Sequence, residues 1–152
     1  MPNFQRFWRT YRPAHRVLRL GVLDERQKHD FFAGLDLFAL PSRSDSFGLV
    51  LLEAWANGVA NLAYRAGGVA GVIRHGYDGV LVPCGDVPGL ATALGQLVER
   101  DTWRRQLGAA GQERVRREFR WSDKLQRVRA VYEEVIGELR SQRQSQPPGP
   151  AS

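Results

Sequence analysis

Apolar residues recur along the chain in two alternating patterns, one helical and one extended. Phe4, Phe7, Trp8 and Tyr11 fall on one helical face, so residues 3–12 are predicted to form a short amphipathic helix. Short apolar runs bounded by glycine, proline or polar residues predict strands at residues 17–21, 36–42, 59–64 and 79–83. Helical patterns are found at residues 25–35, 47–57, 88–100, 102–119 and 122–140, with a shorter helix within the glycine-rich segment 66–76.

This alternation of short apolar strands with helices predicts an α/β fold, in which helices cover both faces of a parallel sheet. In such sheets ligands bind beyond the carboxyl ends of the strands. Function is therefore expected in the loops that follow residues 40, 64 and 82.

Composition predicts one domain without a membrane span. The chain has 152 residues, of which 43% are hydrophobic and 25% are charged, as in an ordinary globular protein. No apolar run approaches the roughly 20 residues that cross a bilayer, and the first residues lack the pattern of a secretory signal, so a cytoplasmic protein is expected. Residues 1–139 are predicted to form the domain, and residues 140–152, which contain QSQPPGPAS, a disordered tail.

Cysteine and histidine usage predicts neither a disulfide nor a metal site. Cys84 is the only cysteine of the chain. The histidines, His15, His29 and His75, are far apart and show no ligand spacing.

Positive charge is concentrated in one segment. Residues 103–129 contain nine Lys or Arg and three acidic residues, so they account for the whole net charge of +6. One interpretation is a solvated helix face, and another is peripheral contact with an anionic membrane. No aromatic residues alternate with these charges, so nucleic acid is not an expected partner.

The segment RSDSFGLVLLEAWANG, residues 43–58, passes from small polar residues into an apolar helical run. Ser46 is predicted to be the N-cap of this helix. Phe47, Gly48 and Leu49 then expose backbone N–H groups at the positive end of the helix dipole, where an anion such as a phosphate is favoured.

Two carboxylates flank this turn, Asp45 before it and Glu53 within the apolar run. Glu53 lies two helical turns beyond Ser46, roughly 10 Å along the axis. A carboxylate, an anion-binding turn and a second carboxylate suit a nucleoside diphosphate sugar, whose hydroxyls donate to acidic side chains. The alternative is that Glu53 faces solvent on an amphipathic helix, and the spacing alone leaves both interpretations open.

The segments DLFALPSRSDSFGLVLLEAWANG and AYRAGGVAGVIRHGYDGVLVPCGD together resemble the C-terminal, donor-binding domain of retaining GT-B glycosyltransferases of group 1, or family 4. That family has a strand ending in Pro-Ser, an acidic residue before Phe-Gly, a second acidic residue, a Gly-Gly turn and a Gly-x-x-Gly-x-Leu-Val segment. The resemblance extends over residues 17–132. It implies a Rossmann-like parallel sheet in one incomplete GT-B C-terminal domain.

The resemblance implies a role for each matched residue. Asp45 takes the acidic position that contacts the donor sugar and is the candidate catalytic residue. Glu53 matches the glutamate that holds the ribose hydroxyls. Trp121 and Ser122 match the start of the final helix, which in the family crosses toward the acceptor domain. The other implied donor-binding residues contribute backbone atoms or space near the sugar and the diphosphate: Ser46, Phe47, Gly48, Leu49, Val50, Gly67 and Gly68.

Several positions depart from the family pattern. Asp45 replaces a glutamate and is shorter by one methylene, about 1.5 Å of reach. Ser46 replaces a glycine, and Gly71 stands where the family has an acidic residue. Ala60 and Asn61 replace Pro and Val, and a polar Asn61 in a central strand needs a hydrogen-bond partner.

The resemblance also implies missing parts. The family's donor domain opens with two further strands and an Arg and a Lys that bind phosphate, and nothing in this chain matches them. Arg43 and Arg65 are candidate substitutes. Three arrangements are expected as alternatives: residues 17–20 pair directly with residues 36–40, two chains complete each other's sheets, or the chain is a fragment of a longer product.

The implied function is transfer of a sugar from a nucleoside diphosphate sugar to an acceptor with retained configuration, this chain being the donor-binding half. No metal or other cofactor is implied. The expected partners are the nucleotide-sugar and a missing acceptor-binding domain or second chain. The alternative function is a non-catalytic nucleotide-sugar-binding or assembly module, or a gene fragment.

Overall fold

The computed structural model describes residues 2–11 and 14–144, which form helices and parallel strands. The chain divides into two compact units, Met1–Phe31 and Phe32–Ser152. In chain order the elements are α1 (Pro2–Thr10), α2 (Glu25–Ala33), β1 (Leu37–Leu40), α3 (Leu49–Ala56), β2 (Ala60–Arg65), α4 (Val69–Val72), β3 (Gly79–Pro83), α5 (Val87–Glu99), α6 (Asp101–Glu118) and α7 (Trp121–Gln144).

The first unit contains the predicted amphipathic helix, α1, and most of α2. Phe7 of α1 stacks on Tyr11, the residue that follows the helix, with ring centroids 4.8 Å apart. The predicted start of α2 is confirmed, because the Asp24 carboxylate accepts from the Gln27 N–H at 2.8 Å and the Gln27 side chain accepts from the Asp24 N–H at 3.0 Å. This reciprocal capping box satisfies donors that the first helical turn leaves unpaired.

Residues 17–20 form no strand, so that sequence-based prediction is wrong. The side chains of Leu18 and Leu20 are 62% and 52% exposed. The sheet of the described residues contains β1, β2 and β3 alone, so this segment has neither ladder hydrogen bonds nor a packed face to hold it extended. Residues 17–20 therefore do not form the strand that direct pairing with β1, one of the three expected arrangements, requires.

The second unit is built on a parallel sheet, as predicted, and its strand order is β1-β2-β3. The central strand, β2, is buried on both faces from Ala60 to Tyr64. Leu62 and Tyr64 pack in a cluster with Leu97 of α5 and Leu107 of α6. On the opposite face Ala63 packs in a second cluster, formed with residues of α3 and α4. Helices therefore cover both faces, and the predicted α/β, Rossmann-like class is confirmed.

Asn61 is the buried polar residue of β2. Its Nδ2 donates to the carbonyl of Leu51 at 2.9 Å, which joins the central strand to α3. Its Oδ1 has no hydrogen-bond donor among the described residues. Of the two polar side-chain atoms of Asn61, one therefore has the predicted hydrogen-bond partner.

Asp78, in the turn before β3, joins α6 through a buried ion pair and α3 through a main-chain hydrogen bond. The Asp78 side chain is fully buried, and its carboxylate accepts from the Arg114 guanidinium at 2.9 Å and from the Arg74 N–H at 2.7 Å. Its main-chain carbonyl accepts from the indole N–H of Trp55 at 2.8 Å. Gly111 of α6 gives the indole its space, since a Cβ there would collide with the ring.

The same cluster alters two pKa values. Burial opposes the charge of Arg114, but hydrogen bonds to Glu118 and Asp78 outweigh it and raise the pKa of the guanidinium above its usual value. The hydrogen bond from Arg114, assisted by Arg74, lowers the pKa of Glu118 below its usual value. Both groups are therefore charged at neutral pH, and the network persists there.

At the carboxyl edge of the sheet, the loop after β1 and the loop after β2 pack backbone to backbone. The Gly68 N–H donates to the Asp45 carbonyl at 3.0 Å. A Cβ on Gly67 would collide with the Asp45 carbonyl oxygen, and one on Gly68 with that of Ser46. The two glycines therefore permit a close approach that no other residue allows.

The predicted disordered tail begins within a helix. Residues 140–144 continue α7, which ends at Gln144, so the tail prediction is wrong for them. Residues 145–152 of the predicted tail lie outside the described residues.

Arg114→Met is expected to lower the free energy of unfolding by about 3–5 kcal/mol, because it leaves the Asp78 carboxylate buried and uncompensated. Arg74→Gln is the matched control, since the Arg74–Glu118 pair is exposed and worth about 0–1 kcal/mol. Urea unfolding at neutral pH measures both variants. If Arg114→Met lowered the free energy of unfolding as little as Arg74→Gln does, the structural role of the buried pair would be contradicted.

Gly68→Ala is expected to lower the free energy of unfolding by about 1–3 kcal/mol, because the added methyl group forces the two loops apart. Gly71→Ala is the control, since a Cβ at that position meets nothing within 4 Å. Thermal unfolding of the two variants provides the comparison. If both behave alike, the close packing of these loops is refuted.

Candidate functional site

The candidate site lies where the loops after β1 and β2 meet. Asp45, Ser46 and Gly48 belong to the first loop, and Gly67 and Gly68 to the second. The loop packing described above brings these residues together. The loop after β3 contributes Gly85, and the guanidinium of Arg43 lies 4.0 Å from the position that a Gly85 Cβ would occupy. The side chain of Arg43 thus extends from the loop after β1 toward the loop after β3.

The start of α3 differs from the prediction. The N-cap of α3 is Gly48 and not Ser46. Gly48 has φ +75° and ψ +49°, and as a glycine it has no side chain with which to cap the helix. The Asp45 carboxylate caps the turn instead, because its Oδ1 accepts from the Phe47 N–H at 2.9 Å and from the Gly48 N–H. The left-handed backbone of Gly48, and the clash that a Cβ would make with Leu51, explain this glycine without a ligand.

The backbone donors free to bind an anion are consequently shifted along the chain. The amides of Phe47 and Gly48, two of the three predicted donors, are occupied by Asp45. The N–H groups of Leu49 and Val50, the first two of α3, have no acceptor among the described residues. They lie at the positive end of the helix dipole, where they suit a phosphate group.

Glu53 lies on the second turn of α3, and its side chain is half-buried. Its carbonyl accepts from the Asn57 side chain at 2.9 Å. Leu51, Ala54 and Trp55 form the buried face of the same helix. Glu53 is therefore neither part of this buried face nor fully exposed.

An apolar groove of about 360 Å³ lies beside the first turn of α3. Phe47 and Phe119 meet edge to face there, with ring centroids 6.1 Å apart. The ammonium of Lys124 lies 5.8 Å from the centroid of the Phe119 ring. The groove is lined by Phe47, Leu49, Leu52, Phe119, Trp121 and Lys124.

Sequence reasoning assigned no role to Phe119 or to this groove. The available signal was two aromatic residues, Phe119 and Trp121, on either side of a helix break. Pattern alone could not show that they lie beside Leu49, which precedes them by 70 residues or more.

The basic segment, residues 103–129, is not a uniformly solvated face. Arg104 and Arg114 have side chains only 13% and 10% exposed, and they pair with Asp101 and Asp78. Other cations of the segment, such as Arg117, are exposed.

Two features are absent from the part of the chain that the structure describes. None of its helices combines the length and the apolar character needed to cross a membrane. None of its groups of three or more His, Cys, Asp or Glu side chains has a geometry that could hold a metal ion.

Known proteins resemble this chain in sequence. The profile of the family described as glycosyl transferases group 1 matches residues 3–114. The N-acetyl-alpha-D-glucosaminyl L-malate synthase of Bacillus anthracis is 38% identical over 121 residues, which cover 80% of this chain and 31% of that protein.

Solved structures resemble it in fold. Sucrose-phosphate synthase from Thermosynechococcus elongatus superposes with a TM-score of 0.83 and 27% identity, over 90% of this chain and 34% of that one. HepE from Anabaena, solved in complex with UDP-glucose, has a TM-score of 0.66 and 25% identity, over 68% of this chain and 29% of its own.

The chain thus spans about a third of the length of these relatives. The family match covers most of the second unit, including both loops of the candidate site. The parallel sheet is that of the GT-B architecture. The chain therefore belongs to the group 1 glycosyl transferases and corresponds to part of their C-terminal domain.

Proposed function

We propose that this chain is the donor-binding part of an enzyme that transfers a sugar from a nucleoside diphosphate sugar to an acceptor, with retention of configuration and without a metal. The observation that carries the proposal is the pair of unoccupied N–H groups at Leu49 and Val50, at the carboxyl edge of a parallel sheet. Ligands of such sheets bind at this edge. HepE, which shares the fold, binds UDP and UDP-glucose.

The diphosphate of the donor is proposed to lie on the Leu49 and Val50 amides. As the bond to the sugar breaks, negative charge grows on the departing diphosphate, and fixed N–H dipoles stabilise that charge without having to reorganise. Arg43, whose side chain reaches toward Gly85 at the same edge, is the proposed cationic supplement. Gly67 and Gly68 hold the opposite loop close, and so define the space left for the sugar.

Glu53 is proposed to bind the ribose hydroxyls. It lies one helical turn beyond the amides and is partly exposed, so a ligand that extends along α3 is proposed to reach it. A carboxylate accepts two hydrogen bonds from a pair of vicinal hydroxyls with good geometry.

The acceptor site is proposed to belong to a further domain or second chain. The chain spans 31% of the N-acetyl-alpha-D-glucosaminyl L-malate synthase that it resembles, and the rest of that protein is long enough to contain another domain. The helix α7 carries exposed apolar residues at helical spacing: Trp121, Leu125, Val128, Tyr132 and Val135. A stripe of this kind normally packs on a partner, and the acceptor-binding domain is the proposed one.

A non-catalytic binding module is the second candidate function. It is favoured by Gly71, which stands where the resemblance implies an acidic residue and has nothing within 4 Å of a Cβ. The two candidate functions differ in turnover. When an acceptor-binding domain and an acceptor are supplied, an enzyme cleaves the donor and releases the nucleoside diphosphate, whereas a binding module binds the donor without cleaving it.

Glu53→Gln is expected to weaken UDP binding by about ten- to a hundredfold, because an amide replaces a charged acceptor of ribose hydroxyls. Calorimetric titration of the purified chain with UDP measures the change, and thermal unfolding checks that the variant is folded. Glu113→Gln on the exposed face of α6 is the control and should bind UDP as the unmodified chain does. Unchanged affinity in Glu53→Gln would refute the ribose role.

A further inference from the structure

The side chain of Asp45 turns back on its own loop. One oxygen, Oδ1, accepts from the N–H groups of both Phe47 and Gly48. The main-chain carbonyl of the same residue accepts from Gly68 of the neighbouring loop at 3.0 Å. Asp45 therefore joins the start of α3 to the loop after β2.

We propose that Asp45 is a positioning residue of the donor site, which orders the turn before α3 so that the Leu49 and Val50 amides face the diphosphate. This inference rests on the proposed donor-binding function. It differs from the role that the resemblance implies for this position, which is direct contact with the donor sugar.

The length of the side chain supports this role. An aspartate readily accepts from the backbone N–H groups two and three residues ahead, the geometry of an Asx turn and helix cap. A glutamate is one methylene longer, and its carboxylate projects beyond these amides. This chain has an aspartate where the resemblance implies a glutamate. The shorter side chain therefore places the carboxylate on the loop and not in the open site.

The backbone of the turn needs such a support. Gly48 adopts φ +75°, and the cap residue itself supplies no side-chain hydrogen bond to α3. Asp45 provides the side-chain cap that the structure records at this helix start. Without it, the Phe47 and Gly48 amides lose their acceptor and the turn loses its defined direction.

The test compares binding of UDP with binding of UDP-glucose. Loss of a positioning residue weakens both ligands, whereas loss of a sugar contact weakens only UDP-glucose, because UDP has no sugar beyond its diphosphate. Asp45→Ala removes the cap and is expected to weaken both ligands by the same factor, about 2- to 30-fold. Asp45→Asn keeps an acceptor oxygen at the same reach and is expected to restore most of the affinity for both. Calorimetry gives the dissociation constants, and thermal unfolding confirms that each variant is folded.

Asp86→Ala is the matched control. Asp86 caps α5 in the same manner, accepting from the Gly89 N–H at 2.9 Å, so its loss mimics the general destabilisation that a missing cap causes. Affinity for UDP should be unchanged in this variant. A loss equal to that of Asp45→Ala would mean that the effect is one of stability, and would overturn the positioning role.

Two results at Asp45 would also overturn it. Selective loss of UDP-glucose binding, with UDP binding intact, would assign Asp45 to the sugar. Equal losses in Asp45→Asn and Asp45→Ala would show that charge, rather than the accepting oxygen, is what matters. Should Asp45→Ala not fold, the Asp45→Asn comparison decides alone. Failure of the unmodified chain to bind either ligand would instead refute the proposed donor site, together with this inference.

Discussion

A single buried carboxylate connects the elements that carry the candidate site. Asp78 precedes β3, its side chain pairs with Arg114 of α6, and its carbonyl holds the indole of Trp55 in α3. A buried ion pair adds little net stability, because both groups lose their hydration, but any arrangement that separates them leaves a charge without compensation. The direction of α3 against the sheet is therefore narrowly determined. The amides of Leu49 and Val50 and the carboxylate of Glu53 all depend on that direction.

The site itself is made mainly of backbone. Gly67 and Gly68 bring one loop against the carbonyls of the other, and the Asp45 carboxylate satisfies two amides that would otherwise compete for a ligand. What remains is a pair of N–H groups at the end of a helix dipole, the simplest protein site for an anion. In the proposed site, donor recognition comes from loop geometry, and the proposed role of Asp45 depends on the length of its side chain.

Much of this could be predicted from the sequence, because the three strands of the sheet and the helices around it follow from local periodicity, and because the Gly67–Gly68 turn has a recognisable pattern. Residues 17–20 were wrongly predicted as a strand, since extended structure depends on a neighbouring strand that local pattern does not reveal. Ser46 was wrongly predicted as the cap, since Asp45 competes for the same amides and the torsion angle of Gly48 decides between them. The partnership of Asp78 with Arg114, 36 residues apart, is a tertiary fact that no local rule contains.

The central claim is that the Leu49 and Val50 amides receive the diphosphate of a nucleotide-sugar. Amide-resolved NMR titration of the isotope-labelled chain with UDP tests it most directly. The largest shifts are expected at Leu49 and Val50, with smaller ones at Gly67 and Gly68, while the amides of α5 stay unchanged. Saturable binding whose shifts avoid the first turn of α3, or no shifts in a folded chain at millimolar UDP, would contradict the account.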